Sequence, residues 1–596
     1  MATKGGVELG SPMVARGKPR VAFCIGLTCA VLLVCWGSAA CGPARTGEPT
    51  AGLPLAVFPQ PPAPTPRPLR VACEGGREPA RIAQRLVAEL SGMGHAVENP
   101  CAVASADPRP LPEIEHADLY LGYHPPAGWT TFPVSVTHFV PVVSFWLPIT
   151  DIRYADLQRI FGGEITDWSA FGCPWEEPIV PLAVAHDPPA PLLPVSGTVL
   201  PDVDALVATF RDVPGGIALL AASAVDVRVR ALRVDGHDAL LARESPVKGS
   251  LTRTLSLAVP RDAPPEFRER VAAFARKYRA SPPEPGIEIA IVGDVVPGRM
   301  VERSIRAYGG DYTRPFAYVA DTLRSADLTI ANLEGVLSDE IPPPEDPTTF
   351  FFVASGRFCE GLRYAGIDGV SLANNHSMNF GAAGLADTLA LLDQAGIAHF
   401  GAGMELAEAR RPAFFTVRGV TFAFLGYDAV SHELYGAGEQ RPGTAPADPT
   451  FIVEDIARAR EQADVVIPYF HWGWEYTAEP SPWQRELAHR AVEAGADVVL
   501  GNHPHWVQAF ERYQGVPILY SPGNFVFDQM WSLETRRGVI WRLVFRGKHL
   551  VQIRLQAVQI EDYHQPRLLP PSEAEEVYRM IRAASPGWPE EEGVQR

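Results

Sequence analysis

Hydrophobic and polar positions follow two periodicities along this chain, which predicts a mixed α/β protein. Apolar runs at 139–143 and 255–259 are typical of buried strands, whereas 81–90 and 204–210 repeat apolar residues at helical spacing. Alternation of these two patterns favours sheets covered by helices. The first folded region, residues 69–280, is therefore predicted to be α/β.

A second region shows a strand, a loop and a helix in repetition, and each apolar run is followed by a polar residue. The Pro-rich segment 281–286 predicts a domain boundary before it. Sites in layered α/β folds form beyond the carboxyl ends of strands, so we expect these polar residues to converge. The runs and their polar residues are 287–292 with Asp294, 328–331 with Glu334, 370–373 with Asn375 and His376, 465–470 with His471, and 498–500 with His503 and His505.

These residue types suit one or two divalent metal ions. Carboxylates, amide oxygens and neutral imidazoles bind Mn, Fe or Zn, and a carboxylate can bridge two ions about 3.5–4 Å apart. The predicted metal ligands are Asp294, Glu334, Asn375, His471, His503 and His505. His376, beside Asn375, is left to act as a general acid on a leaving group. Each short motif alone is more often a turn or a surface loop, so the prediction depends on their occurrence together at successive strand ends.

The helix between the last two runs supports this division of the chain. Ser481, Pro482 and Gln484 have the pattern of an N-cap, a first-turn proline and a capping box. The predicted buried face consists of Trp483, Leu487, Ala491 and Ala494.

Composition narrows the classes of function. Hydrophobic residues make up 46% of the 596 residues, which excludes a mainly disordered protein. The formal net charge of −17 argues against a sequence-independent nucleic-acid binder, because phosphate contacts need a basic surface. After the N-terminal segment no apolar run approaches the ~20 residues of a membrane-spanning helix, so the sequence is not that of a polytopic membrane protein.

The N-terminal segment predicts export from the cytoplasm. Basic residues precede an apolar stretch at 21–36 and small residues at 37–40, which is the order of a secretory signal. The end of the segment resembles a bacterial lipoprotein signal, which implies that Cys41 is lipidated and anchors the protein to the membrane. Cleavage after Ala40 without lipidation and an uncleaved anchor are the alternatives. Residues 1–41 are thus the predicted signal, and the Pro-rich residues 42–68 are a predicted semi-rigid linker.

Disulfides are permitted outside the cytoplasm. Cys73 and Cys101 flank one predicted strand–helix–strand unit and are the preferred pair. The alternative is that Cys73, Cys101, Cys173 and Cys359 are all free, buried thiols.

Part of the first region resembles phosphate-binding proteins of the PstS type, which are two-lobed periplasmic solute-binding proteins. The similar segments are DIRYADLQRIFGGEITDW at 151–168 and PGGI at 214–217. Ser196, Gly197 and Thr198 match the triplet with which that family binds phosphate at a helix N-terminus. The resemblance implies a periplasmic-binding-protein-like fold for residues 69–280, with anion binding and a spacer or interaction role as open alternatives.

The second region resembles the CapA family, named for poly-γ-glutamate capsule synthesis, whose domain has the calcineurin-like metallophosphatase fold. The similar segments are 293–299, 332–334, 373–377, 470–476, 501–505 and 520–525. The resemblance implies a metallophosphatase-like α/β sandwich over residues 287–565, followed by a C-terminal helix and tail at 566–596.

Two departures from the wider superfamily concern the metal site. Val296 stands where a histidine is usual, and Glu334 stands where a bridging aspartate is usual, so one metal position is expected to be poorer in ligands. Arg299 is kept, and it is expected either to clamp an anionic group of the substrate or to form a surface salt bridge.

The sequence therefore predicts an extracytoplasmic, membrane-tethered protein of capsule or poly-γ-glutamate-like polymer synthesis with a metal-dependent hydrolase site. Its expected substrate is a phosphoester or a γ-glutamyl amide of an anionic polymer, and its expected partner is a membrane polymer-synthesis complex. The alternative is a non-catalytic binding or scaffold component of a polymer assembly or export complex. His376 favours catalysis, whereas Val296 favours the scaffold.

Overall fold

The computed structural model describes residues 68–73, 77–92, 96–98, 117–185, 199–241, 251–279, 286–346 and 348–589. Residues 66–596 form one compact unit. The predicted signal, residues 42–67 of the linker, Cys101 and the triplet at 196–198 lie outside the described residues. Within the described residues, every helix is too short or too polar to cross a membrane.

The first region is built on a nine-stranded mixed sheet, as the alternating pattern predicts. Its helices are α1 (Arg77–Gly92), α2 (Tyr154–Phe161), α3 (Val203–Asp212) and α4 (Pro265–Tyr278). Its strands are β1 (Leu69–Cys73), β2 (Val97–Glu98), β3 (Leu119–Gly122), β4 (Thr130–Ser144), β5 (Asp151–Ile152), β6 (Val180–Val184), β7 (Val199–Leu200), β8 (Gly216–Ala221), β9 (Val229–Ala231), β10 (Arg233–Val234) and β11 (Thr252–Val259). The sheet order is β2-β1-β3-β11-β4-β8-β6-β7, with β9 beside β4, and β5 pairs with β10 separately.

The two segments that resemble solute-binding proteins contact each other in this region. The indole N–H of the fully buried Trp168 donates a hydrogen bond to the carbonyl of Gly215 at 2.9 Å. Cys73 is disulfide-bonded, which excludes the alternative of four free thiols, and its predicted partner Cys101 lies outside the described residues. Cys173 and Cys359 are free and buried.

The second region begins with β12 and contains two large sheets, besides the two-stranded pairs β14-β15 and β18-β21. Its strands are β12 (Gly286–Val295), β13 (Leu328–Leu333), β14 (Val336–Leu337), β15 (Val353–Ala354), β16 (Gly369–Ser371), β17 (Ala398–Phe400), β18 (Ala402–Gly403), β19 (Ala413–Val417), β20 (Val420–Asp428), β21 (Gly443–Thr444), β22 (Val465–His471), β23 (Val499–Asn502), β24 (Phe510–Tyr513), β25 (Val516–Leu519), β26 (Asn524–Val526), β27 (Arg537–Arg546), β28 (His549–Glu561) and β29 (Gln565–Leu568). Its helices are α5 (Arg299–Ala307), α6 (Ala320–Arg324), α7 (Phe358–Ala365), α8 (Gly381–Ala395), α9 (Leu406–Ala409), α10 (His432–Tyr435), α11 (Pro449–Arg460), α12 (Pro482–Glu493), α13 (Leu533–Arg536) and α14 (Pro571–Ala584).

The two sheets pack face to face as a sandwich. One has the order β17-β16-β13-β12-β27-β28-β29, with β26 beside β12, and the other has the order β19-β20-β22-β23-β25-β24. Ile289 and Ile291 of β12 meet Phe424 and Ile467 of the facing sheet in a shared core. On the outer faces, α5 to α8 cover the first sheet and α11 and α12 cover the second. The order of layers is therefore helix, sheet, sheet, helix.

The predicted start of α12 is confirmed, but one residue of its predicted buried face is wrong. Ser481 and Gln484 form the complete capping box, and Leu487 and Ala491 are fully buried. Trp483, however, is 42% exposed. Gln484 is the buried side chain of this first turn, because its amide hydrogen-bonds both Ser481 and Gln508.

The first region and the sandwich share part of their core. Phe145, which follows β4, is 1% exposed, and its ring lies 5.3 Å from that of Trp588 and 6.4 Å from that of Phe510. The guanidinium of Arg554 in β28 contacts Asp238 of the first region at 2.6 Å. The two sheet systems thus pack against each other within one compact unit, and the domain boundary at 281–286 stays a prediction, since residues 281–285 lie outside the described residues.

Candidate metal centre

The predicted ligands follow parallel strands whose ends lie at one level of the sandwich. Asp294 of β12 is in register with Asn332 of β13, and His471 of β22 is in register with Asn502 of β23. The carboxyl ends of strands from both sheets therefore meet at one edge, as strand topology predicts. All six predicted ligands lie at this edge.

Four ligand-type atoms converge around one position, here called position A. The Nε2 atom of His471 lies 2.7 Å from Asn375 Oδ1, 3.1 Å from His503 Nδ1 and 3.7 Å from Glu334 Oε1. Ligands at about 2.0–2.2 Å from an ion are themselves about 3 Å apart, so these spacings suit one metal ion.

A second set of atoms lies beside the first, at what is here called position B. His505 Nδ1 is 3.0 Å from Asp294 Oδ2, and both residues form a group with Glu334 whose ligand atoms lie within 4.8 Å of one another. Glu334 belongs to both groups, as a bridging carboxylate must. Val296 is buried and contributes no donor to position B.

The protonation states also suit a cation. Burial, and then the nearby His503, lower the pKa of His471 well below its usual range, and burial does the same for His503. Both imidazoles are therefore neutral at pH 7, which is the form that binds metals. Burial, followed by repulsion from Asp294 and Glu475, raises the pKa of Glu334 well above its usual range. A positive charge at this place would relieve that repulsion.

One buried oxygen atom tests whether the residues of the centre suit a metal ion. Glu334 Oε1 is inaccessible to solvent and has no hydrogen-bond partner among the described residues. Such an atom costs about 1–3 kcal/mol unless something binds it. It faces His471 Nε2 and His376 Nε2, at 3.7 and 3.8 Å, so the residues present fit a metal ion.

Three buried asparagines hold the ligands in place, and the sequence did not single them out. Asn332 Nδ2 donates to Asp294 Oδ1 at 2.8 Å, and Asn374 Nδ2 donates to Asn332 Oδ1 at 3.1 Å. Asn524 donates from Nδ2 to the carbonyl of Thr535, so its Oδ1 faces His505 Nδ1 at 2.9 Å. That contact holds the ring of His505 in its orientation beside Asp294.

The backbone around the ligands is strained. His503 and His505 have backbone φ angles of 98° and 58°, in the left-handed region that residues other than glycine rarely adopt. Such conformations persist only where the surrounding structure enforces them, and they cluster at functional sites.

His376 lies beside the cluster with its ring stacked on Phe352, at 4.1 Å between ring centres. Asn379 Oδ1 accepts the N–H of Phe352 and lies 2.9 Å from His376 Nδ1, so Nδ1 carries the ring proton and Nε2 faces Glu334. Burial lowers the pKa of His376 to about 4. The ring is therefore neutral at pH 7, and Nε2 must first gain a proton before it can act as the predicted acid.

Little of the Arg299 side chain is exposed, in contrast to the surface salt bridge that was the alternative expectation. Its guanidinium forms a two-point ion pair with Asp528, and the two side chains are 10% and 5% exposed. It also lies 4.9 Å from the ring of Phe352 and 5.0 Å from that of Phe527. Its charge is already balanced by Asp528, and its guanidinium lies against the ring of Phe352 on which His376 stacks, so Arg299 is poorly placed to clamp an anion.

A loop that follows β22 lies beside the candidate centre. Trp474 is 66% exposed, and Tyr476 packs edge-on against Trp531, which is 63% exposed. Glu475 between them forms a third ligand-type group with His503 and His505. Glu475 lies within 470–476, one of the segments that resemble the CapA family. It was not predicted as a ligand, because it lies four residues beyond the end of β22.

Comparison with known proteins finds similarities for the part of the chain that carries this edge of the sandwich. Residues 288–529 match the family described as "Bacterial capsule synthesis protein PGA_cap". "PGA biosynthesis protein CapA" of Bacillus subtilis (strain 168) is 34% identical over 247 residues, which are 41% of this chain and 64% of the relative. "Capsule biosynthesis protein CapA" of Bacillus anthracis is 33% identical over 252 residues, 41% of this chain and 61% of the relative. The chain thus spans less than two thirds of the length of either relative.

Solved structures give weaker similarities. An ABC-type phosphate transport receptor from Vibrio cholerae aligns with 35% of this chain and 93% of its own, at 16% identity and a TM-score of 0.28. The NAD nucleotidase NadN of Haemophilus influenzae aligns with 49% of this chain and 55% of its own, at 12% identity and a TM-score of 0.30. Both TM-scores are too low to assign a function to this chain.

Proposed function

We propose that this protein is a metal-dependent hydrolase of anionic polymer synthesis, and the match of residues 288–529 to the family described as bacterial capsule synthesis protein PGA_cap supports the proposal. The two Bacillus relatives are named for PGA or capsule biosynthesis, which supports a polymer of the poly-γ-glutamate type as the context. The proposal includes export and a membrane tether at Cys41, supported by the signal-like order of residues 1–41.

One observation carries the proposal of a hydrolytic site. Carboxylate, amide and imidazole groups from five strand ends gather around Glu334, whose Oε1 is a buried acceptor with no hydrogen-bond partner among the described residues. Asn375, His471 and His503 would hold an ion with Glu334 at position A, and Asp294 and His505 would hold one with Glu334 at position B. A divalent ion there would act as a Lewis acid and lower the pKa of bound water.

Neighbouring side chains would transfer the proton of the attacking water to the leaving group. His376 Nε2, neutral at pH 7, would accept a proton from the attacking water, and the imidazolium would return it to the leaving group. Asn379 holds the opposite nitrogen and so keeps Nε2 turned toward the cluster. The bond cleaved is a phosphoester or a γ-glutamyl amide of the polymer.

Metal analysis and hydrolysis assays of the full-length chain test this proposal. We expect bound Mn, Fe or Zn, together with cleavage of either a generic phosphodiester or poly-γ-glutamate. His471→Ala should abolish both, whereas His399→Ala is the matched control, because that histidine lies on β17 and contacts Asp393. A wild-type chain that stays free of metal after repletion would refute the hydrolase and leave the scaffold alternative.

A further inference from the structure

Glu475 stands apart from the ligands expected from the sequence. It follows β22 by four residues and is exposed, yet one of its carboxylate oxygens lies within 4.8 Å of ring nitrogens of both His503 and His505. The two histidines belong to different positions of the centre, His503 to position A and His505 to position B. Glu475 therefore reaches the edge that joins the two positions.

The donors at the two positions are unequal in number. Position A has four among the described residues: Glu334, Asn375, His471 and His503. Position B has three, which are Asp294, Glu334 and His505, and the nearby side chain of Val296 is apolar. Divalent ions bound by nitrogen and oxygen take four or more ligands. One further carboxylate at position B would give both positions four donors.

We propose that Glu475 is a ligand of the metal centre and completes position B beside His505. The inference rests on the proposed metal centre and adds a residue to it. Two divalent ions carry four positive charges, of which Asp294 and Glu334 balance two. A third carboxylate reduces the uncompensated charge at this edge of the protein.

The loop that carries Glu475 is held against the histidines. The backbone N–H of Tyr476 donates to the carbonyl of Pro504, between the two histidines, at 2.8 Å. The Tyr476 hydroxyl accepts from Gln529 Nε2 at 3.2 Å, and its backbone is strained, with φ of 62°. At Gly473 a Cβ atom would lie 2.4 Å from Gln484 Oε1, so this sharp turn requires glycine. These contacts fix the residue next to Glu475 over the metal centre.

Metal titration of the full-length chain tests the inference without any assay of activity. Wild type, Glu475→Gln and Glu479→Gln would be titrated with Mn²⁺ by calorimetry, and bound metal would be counted by mass spectrometry. Glu479 is the matched control, because it is an exposed carboxylate on the same loop. We expect two ions in wild type and in Glu479→Gln. In Glu475→Gln the weaker site should lose at least about tenfold in affinity, since even residues that only orient ligands are worth 10–100-fold.

Each outcome decides between the two proposals. If wild type and Glu475→Gln bind two ions with equal affinities, the role of Glu475 is overturned and the metal centre stands. If wild type binds only one ion, with the same affinity in Glu475→Gln, the role of Glu475 is likewise overturned. If wild type binds none, the metal centre fails and the inference fails with it. Glu475→Asp, which keeps the charge, should recover part of the affinity if the carboxylate is a ligand.

Discussion

Asn379 determines which nitrogen of His376 faces the candidate centre. Its Oδ1 already accepts the N–H of Phe352, so it can only accept from the ring as well. We predict that Asn379→Ala lowers kcat by about 10–100-fold, because the ring loses the partner that fixes its tautomer. Bound metal should not change, since Asn379 contributes no donor to positions A or B.

The conservative replacement separates positioning from folding. Asn379→Asp can accept both hydrogen bonds and should retain much more activity than Asn379→Ala, with kcat and metal content measured on the same preparations. Equal kcat in wild type and Asn379→Ala would show that His376 needs no orienting partner. Loss of metal from Asn379→Ala would show instead that the substitution disturbs the centre itself.

The sequence could predict ligands at this scale but not the residues that hold them. Asp294 and His471 stand out because each ends an apolar run with a residue type that binds metals. Asn332 and Asn524 do not, because an asparagine after a strand is usually a turn former, and only burial shows that it orients a neighbour. For Arg299 the sequence left a clamp and a surface salt bridge open, because its partner, Asp528, is 229 residues away and cannot be paired with it from sequence.

At the scale of elements, β12 depends on a close approach between two backbones. A Cβ atom at Gly293 would lie 1.8 Å from the carbonyl oxygen of Gly523, which also accepts the N–H of Asp294. We predict that Gly293→Ala lowers the free energy of unfolding by about 1–3 kcal/mol, as overpacking does, and weakens metal binding by displacing Asp294.

Denaturant unfolding and metal titration check both effects. Gly438→Ala is the control, because the nearest atom to its added Cβ would be 3.4 Å away, which is ordinary contact. A Gly293→Ala protein with wild-type stability and metal affinity would mean that β12 and the segment at Gly523 can move apart freely.

Local sequence patterns predicted where elements begin better than which residues they bury. The start of α12 follows from Ser481, Pro482 and Gln484, since capping is local chemistry. The exposure of Trp483 could not be predicted, because the first turn of α12 buries Gln484 against Gln508, a residue contributed by a distant segment.

At the scale of the whole molecule, the two sheet systems are joined by an apolar contact and by a charged one. Phe145 enters the core that the sandwich builds around Phe510 and Trp588. The apolar run predicted at 139–143 ends just before Phe145, and nothing local to that run indicates that the partners of Phe145 lie more than 360 residues further along the chain. A boundary read from the Pro-rich segment at 281–286 therefore gives no indication of how firmly the two parts are packed.

The charged contact gives a pH prediction. Arg554 lies 2.6 Å from Asp238 of the first region and 3.3 Å from Glu288 of β12. Burial alone would raise the pKa of Asp238, but the charge and hydrogen bond of Arg554, with two backbone N–H groups, outweigh it and lower the pKa below 3.8. A carboxyl with a lowered pKa contributes stability above its unfolded-state pKa and loses it as the pH falls through the folded-state value.

We therefore predict that Asp238→Asn destabilises the protein most at pH 5–7, and that its difference from wild type shrinks as the pH falls below about 3.8. Urea unfolding at several pH values measures this difference, with Asp321→Asn as the control, because that side chain is 98% exposed. A difference that stays constant down to pH 3 would contradict the prediction. The substitution would then act through packing, and the junction between the two sheet systems would depend on apolar contacts such as those of Phe145.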